Sequence, residues 1–209
     1  MSNFEGFVEE IINFEGGYAD HPDDRGGKTM YGITERVARG SGYEGDMRDL
    51  PVETAKEIYR SNYWDNIRLD EINNATLQFI LFDTAVNMGV GTAIDKLQRT
   101  YNMLSESTIT VDGVIGPQTI GAVNNYAHIG ILKFAYLIMR GERYFDIVRS
   151  RHSQKSFIRG WLNRLRSMTL ELEEFSNKEG EKMLAREEVK AEVINDICLA
   201  LSEVLNESI

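Results

Sequence analysis

The sequence predicts a mainly α-helical fold with one small β-hairpin, and three observations carry that expectation. Apolar residues recur at helical spacing along most of the chain. Proline occurs only as Pro22, Pro51 and Pro117. The glycine-rich stretch from Tyr18 to Thr34 alone breaks into a shorter alternation. With 209 residues, of which 42% are hydrophobic and 27% charged, the chain can bury a sizeable core, so bulk disorder is excluded. A single cysteine, Cys198, excludes an intramolecular disulfide framework. His21, His128 and His152 fall in no zinc-binding spacing, so no structural zinc site is expected.

The elements follow in order. Phe4, Phe7, Val8, Ile11 and Ile12 sit at i, i+3, i+4 spacing, and the helix they define ends near Glu15, before Gly16-Gly17. Thr29 to Thr34 alternates as a short strand, with Arg25-Gly26-Gly27 as its hairpin turn and Thr34 as the N-cap of a short helix. Val52, Ala55, Ile58 and Tyr59 mark a helix over 52–63. Residues 75–88 are apolar on nearly every face and predict a buried central helix. Helices are expected over 92–104 and 119–126, on either side of a tight loop at 110–117, and then over 131–149 and 157–175. Val193, Ile194, Ile197, Cys198, Leu201, Val204 and Leu205 give the tail one apolar stripe.

The formal net charge is −10, which argues against a uniform basic face for nucleic acid. Its placement is uneven. Residues 131–170 carry nine bases and two acids, whereas residues 171–209 carry four bases and eleven acids. The first block suits an anionic polymer and the second repels one. The longest apolar stretch, Ile129 to Met139, contains Lys133 and is too short to cross a bilayer, so no stable membrane insertion is expected. The start, Met1-Ser2-Asn3-Phe4-Glu5, lacks a basic segment followed by an apolar run, so cytoplasmic synthesis is expected.

Ionisable residues concentrate at one helix end and the loop after it: Glu15, Asp20, Asp23, Asp24, Arg25 and Lys28. A carboxyl at the C-terminal end of a helix faces the negative end of the dipole, which raises the cost of ionising it and suits a general acid. Asp24 follows nine residues later, beside the expected turn. Two carboxyl groups in different surroundings across a cleft are what glycoside hydrolysis requires. Asp-Asp-Arg-Gly-Gly also reads as a solvated turn, and on spacing alone that alternative stays open. Asp83 and Asn87 are four apart on an otherwise apolar helix, either satisfying buried partners or lining a cleft. Asp112-Gly113 followed by Gly116-Pro117 and Thr119 is a turn closing onto a helix start, with or without a ligand contact. Tyr63, Trp64 and Trp161 are candidates for stacking on sugar faces or for core packing.

These motifs together resemble one family. Phe14-Glu15-Gly16-Gly17-Tyr18, then Pro22, Asp24, Gly26-Gly27, Thr29 and Tyr31-Gly32-Ile33-Thr34, are similar to the signature of glycoside hydrolase family 108, peptidoglycan-cleaving N-acetylmuramidases that are often phage endolysins. Tyr59, Tyr63-Trp64 and the Phe82–Gly89 segment resemble the family's aromatic helix end and central helix. Leu97-Gln98, Asp112–Thr119 and Phe157–Arg164 resemble its C-terminal peptidoglycan-binding region. The resemblance implies a lysozyme-like fold, with a catalytic lobe over 1–90, a binding lobe over 91–170 and an appended acidic helical tail over 171–209. It implies hydrolysis of the β-1,4 bond between N-acetylmuramic acid and N-acetylglucosamine, with Glu15 as the catalytic residue and with no cofactor needed. Glu15, Asp24 and Thr29 also resemble the Glu–Asp–Thr set of phage lysozymes, although the threonine follows after four residues rather than five, which leaves Asp20 and Asp23 as alternatives to Asp24. Substrate contacts are implied at Tyr18, Tyr63, Trp64, Asp83, Asn87, Asp112, Thr119, Arg159 and Trp161. The partner implied is bacterial peptidoglycan, reached through a holin-type pore, so action in the periplasm or wall follows permeabilisation. A lytic transglycosylase and a non-catalytic wall-binding protein are the alternatives. The tail has no counterpart in the resemblance. It is expected to pack in cis or to mediate homodimerisation.

Overall fold

Helix α1 (Phe4–Glu15) buries the predicted face, Phe4, Val8, Ile11 and Ile12, and stops where Gly16 takes a positive φ of 81°. The computed structural model describes residues 2–20 and 27–178, with side chains through residue 169. Residues Met1–Glu173 form one compact unit. The tail stripe from Val193 to Leu205 lies outside the described residues, as do His21 and Asp24.

The segment expected as one strand is two. β1 (Thr29–Met30) and β2 (Ile33–Thr34) pair antiparallel, Thr29 opposite Thr34 and Met30 opposite Ile33. The turn between them is Tyr31-Gly32, with φ of 55° and 74°. Two positive φ values at the centre of a two-residue connection match the twist of a tight hairpin. Thr29 also bridges back to Ala19, which closes the polar loop at its neck. Thr34 caps α2 (Glu35–Gly40) by accepting from the Val37 amide at 3.3 Å, as its sequence position predicts.

The helix expected over 52–63 changes pitch: α3 (Val52–Tyr59) is α-helical and continues as a wider π turn through Trp64. α4 (Ala75–Met88) is the buried central helix, capped by the Asn74 side chain on the Leu77 amide. α5 (Val90–Leu104) packs on α4 and on α7 (Ile129–Ser150), with the short α6 (Pro117–Asn124) beside α5. A 3-10 segment, His152–Phe157, leads from α7 into α8 (Ile158–Lys178). Among the described residues no helix is long and apolar enough to cross a membrane.

The core near α4 is aromatic. Trp64 meets Phe82 edge-on at 5.3 Å and Phe4 at 5.4 Å. Edge-to-face pairs of this kind contribute about 0.5–1.5 kcal/mol beyond their buried area.

Candidate active site

The end of α1 projects Glu15 toward the hairpin, and the contact there leaves no room for a side chain on Gly32. A Cβ at Gly32 would lie 2.8 Å from Glu15 Cγ and 2.9 Å from the Tyr59 hydroxyl. Tyr59 in turn donates to the Tyr31 carbonyl at 2.7 Å, which fixes the turn against the helix end. Burial pushes the Tyr59 phenol far above its usual range, and the nearby Glu15 charge adds to it. Tyr63 is raised too, by burial first and by Glu15 second. Both phenols therefore act as neutral donors over the physiological range.

Opposite the hairpin, Glu15 meets a chain of buried charges. Its Oε1 accepts from Arg164 Nη1 at 2.7 Å. Arg164 Nε donates to Asp83 Oδ1 at 2.8 Å, and its Nη2 lies 2.6 Å from the same oxygen. Asp83 Oδ2 lies 2.6 Å from Arg140 Nη1, a close ion pair without hydrogen-bond alignment. Arg140 also donates to the Thr84 hydroxyl at 3.1 Å and to Tyr144 Oη, from Nη2 at 2.9 Å. The Tyr144 hydroxyl donates to Asn87 Oδ1 at 2.9 Å. Burial falls off along the chain: side-chain exposure is 0% at Arg140, 3% at Asp83, 6% at Arg164 and 25% at Glu15. Burial disfavours the charge on Arg164, but Asp83 and then Glu15 outweigh it and hold the guanidinium charged. The exposed ring of Phe14 lies 4.3 Å from the same guanidinium.

The other predicted site residues divide into three groups. Asp83 and Thr119 are buried, and their partners are internal: Asp83 binds the two arginines, and Thr119 accepts from Gln98 Nε2 at 3.2 Å. Trp64 is fully buried in the aromatic core. These three are corrected from substrate contacts to structural residues, because a sugar cannot reach them. Asp112 is exposed but works locally. Its carboxyl accepts from Gln98 at 2.8 Å and from the Val114 amide at 2.9 Å, and these bonds hold it below the usual carboxylate range. A second group lies on accessible surface. Asn87 and Trp161 line a recess of about 310 Å³ with Arg143, Tyr144, Arg151 and Gln154. Trp161 stacks on Tyr144 at 5.0 Å and on Phe157 at 6.2 Å. Tyr63 is half-buried and Arg159 exposed. The third group frames the polar loop. Tyr18 donates to Asp20 at 3.1 Å and lies under Arg48, while Thr29 Oγ1 donates to the Ala19 carbonyl at 3.5 Å. Asp23 and Asp24 lie outside the described residues.

Arg140 and Arg164 are absent from the predicted set. Their signal was Asp83 itself: a lone carboxylate on a buried apolar helix needs a cation. They also change the reading of the basic block, since Lys133, Arg140 and Arg164 are buried and do not contribute to a basic surface.

Residues 8–89 match the family model described as Glycosyl hydrolase 108, and residues 92–166 match one described as Predicted Peptidoglycan domain. The chain is also similar to the structure of Brucella abortus SagA, at 27% identity, covering 83% of this chain and 95% of that one, with a TM-score of 0.69. No curated protein matches it. The resemblance read from the motifs is borne out, and the helical fold with its two-strand hairpin is consistent with a lysozyme-like fold. Glu15 and Asp83 fall in the first matched region, Arg140 and Arg164 in the second.

Proposed function

We propose, from the match of residues 8–89 to the glycosyl hydrolase 108 model, that the chain hydrolyses the β-1,4 bond between N-acetylmuramic acid and N-acetylglucosamine in bacterial peptidoglycan. The observation that carries the reading is Glu15. It is a partly exposed carboxyl at a helix end, held at 2.7 Å by a buried arginine and packed on a glycine that admits no side chain. Such a group is fixed in place yet accessible, as proton transfer to a bound sugar requires.

In this reading Glu15 gives its proton to the glycosidic oxygen as the C1–O bond breaks. The sugar leaves with a hydroxyl, and water adds to C1, restoring the proton count. A second carboxyl, Asp24 on the family spacing with Asp20 or Asp23 as alternatives, takes the water's proton or stabilises the sugar cation. The recess beside Asn87 and Trp161 offers stacking surface and the cations Arg143 and Arg151, which suit a glycan bearing acidic groups. The peptidoglycan region at 92–166 supports the same substrate. The division into a catalytic lobe over 1–90 and a binding lobe over 91–170 is part of this reading, as is the role of a phage endolysin that reaches the wall through holin-made lesions.

Mass spectrometry of purified peptidoglycan digested with the full chain tests it. New reducing N-acetylmuramic acid ends are expected. Anhydro ends would make the protein a transglycosylase, and intact strands would make it a binding protein; either result overturns the hydrolase reading.

A further inference from the structure

We propose that Arg164 is a positioning residue for Glu15, so that the active site of the hydrolase region is complete only with a side chain supplied by the peptidoglycan region. The inference rests on the reading of Glu15 as the catalytic acid, and deepens it.

A glutamate at a helix terminus has three side-chain torsions and a backbone end that frays. Left alone, it would sample many positions, whereas proton transfer needs one. On the hairpin side the constraint is steric, because Gly32 and the Tyr59 hydroxyl close off the space beside its stem. On the other side the constraint is directional. The planar guanidinium of Arg164 is spent on two carboxyl groups: Nε and Nη2 on Asp83, Nη1 on Glu15. Asp83 therefore sets the plane of Arg164, and Arg164 sets where Glu15 Oε1 lies. The plane is anchored further in, since the other Asp83 oxygen contacts Arg140, which is itself held by Thr84 and Tyr144. Orientation thus passes outward from the fully buried Arg140 to the partly exposed Glu15.

The geometry supports positioning over simple stability. Asp83 already has a buried counter-charge in Arg140, 2.6 Å away, yet Arg164 also reaches outward, and its Nη1 donates to Glu15, 149 positions earlier in the sequence. The residues it joins belong to the two separately matched regions, 8–89 and 92–166. A lysine in its place supplies the charge but not the fork that serves two carboxyl groups at fixed angles.

The test uses the full chain on soluble peptidoglycan fragments. Arg164→Gln is expected to lower kcat about 100-fold, as a misplaced catalytic group does, with KM changed less than about threefold. Arg164→Lys is expected to recover about a tenth of the wild-type kcat through its charge. A folded Arg164→Gln protein with wild-type kcat overturns the proposal. If Arg164→Gln does not fold, Arg164→Lys decides: a kcat lowered about tenfold at unchanged KM supports positioning, and wild-type kcat overturns it. Glu15→Gln run alongside separates the two readings. If that variant is active, Glu15 is not the acid. If it is inactive while both Arg164 variants are wild type, only the positioning role fails.

Discussion

Two buried polar side chains organise this molecule, and they do so in opposite ways. Gln98 on α5 is neutral. Its amide donates to Asp112, the Val114 carbonyl and Thr119, and its oxygen accepts from the amides of Asp112 and Gly113. All of its partners lie within 21 positions, in the loop leading to α6 and in the first turn of α6. Asp83 on α4 is charged, and its partners are two arginines on α7 and α8, the farther of them 81 positions away. The neutral centre folds its own loop, and losing it should loosen that loop. The charged centre joins helices that are distant in sequence, ends at Glu15, and leaves uncompensated charge when broken. A low-dielectric interior makes the second arrangement more demanding of geometry and more consequential for the site.

Asp83→Asn should have the largest effect on the charged centre. It keeps the shape but leaves Arg140 fully buried without a counter-charge, so a loss of about 3–5 kcal/mol is expected in urea unfolding. A loss below 1 kcal/mol, or about the value of an exposed pair, would show that water or another group compensates Arg140. Gly32→Ala should come next. Its φ of 74° is costly for alanine, by about 1–3 kcal/mol. The new methyl also meets Glu15 at 2.8 Å, so kcat should fall by more than the stability change accounts for. Equal activity in the folded variant would mean that the helix end yields without effect.

Gln98→Ala should cost about 1–3 kcal/mol, the scale for leaving buried amides and hydroxyls without partners. Hydrogen exchange should quicken in 109–119 and stay slow around Glu15; uniform loosening would merge the two centres into one. The smallest effect is expected at Asp112. Its carboxyl is held below the usual range by Gln98 and the Val114 amide, so its contribution is full above that range and is lost as pH falls through the lowered value. Asp112→Asn should therefore narrow the gap in Tm between neutral and acid conditions. An unchanged gap would remove Asp112 from the acid sensitivity of the loop.

Much of this was legible in the sequence. The i, i+3, i+4 spacing of Phe4 to Ile12 set α1, and the glycines after Glu15 set its end. The apolar run 75–88 read as a central helix because no face of it could remain in water. The hairpin was legible in kind but not in detail: alternation over Thr29 to Thr34 looks like one strand, and the turn at Tyr31-Gly32 appears only because a tyrosine accepts a positive φ. Trp64 and Thr119 carried sugar-binding chemistry in their side chains, yet side-chain chemistry says nothing about burial. Arg164 was hidden for a different reason. On an amphipathic helix in a basic block an arginine reads as surface, and the carboxyl it serves lies 149 positions away. Asp83 was the only local sign that a cation had to be inside.

In the proposed reaction Glu15, held by Arg164 and Gly32, donates the proton that breaks the glycan. The most direct measurement is the rate of reducing-end formation from purified peptidoglycan by Glu15→Gln beside wild type, with circular dichroism showing that both are folded. The amide keeps the shape and a hydrogen-bonding oxygen for Arg164 but cannot serve as the acid. The account predicts a loss of at least about 10²-fold, the lower end of what a positioned general acid contributes. A folded Glu15→Gln protein that releases reducing ends at the wild-type rate would contradict it.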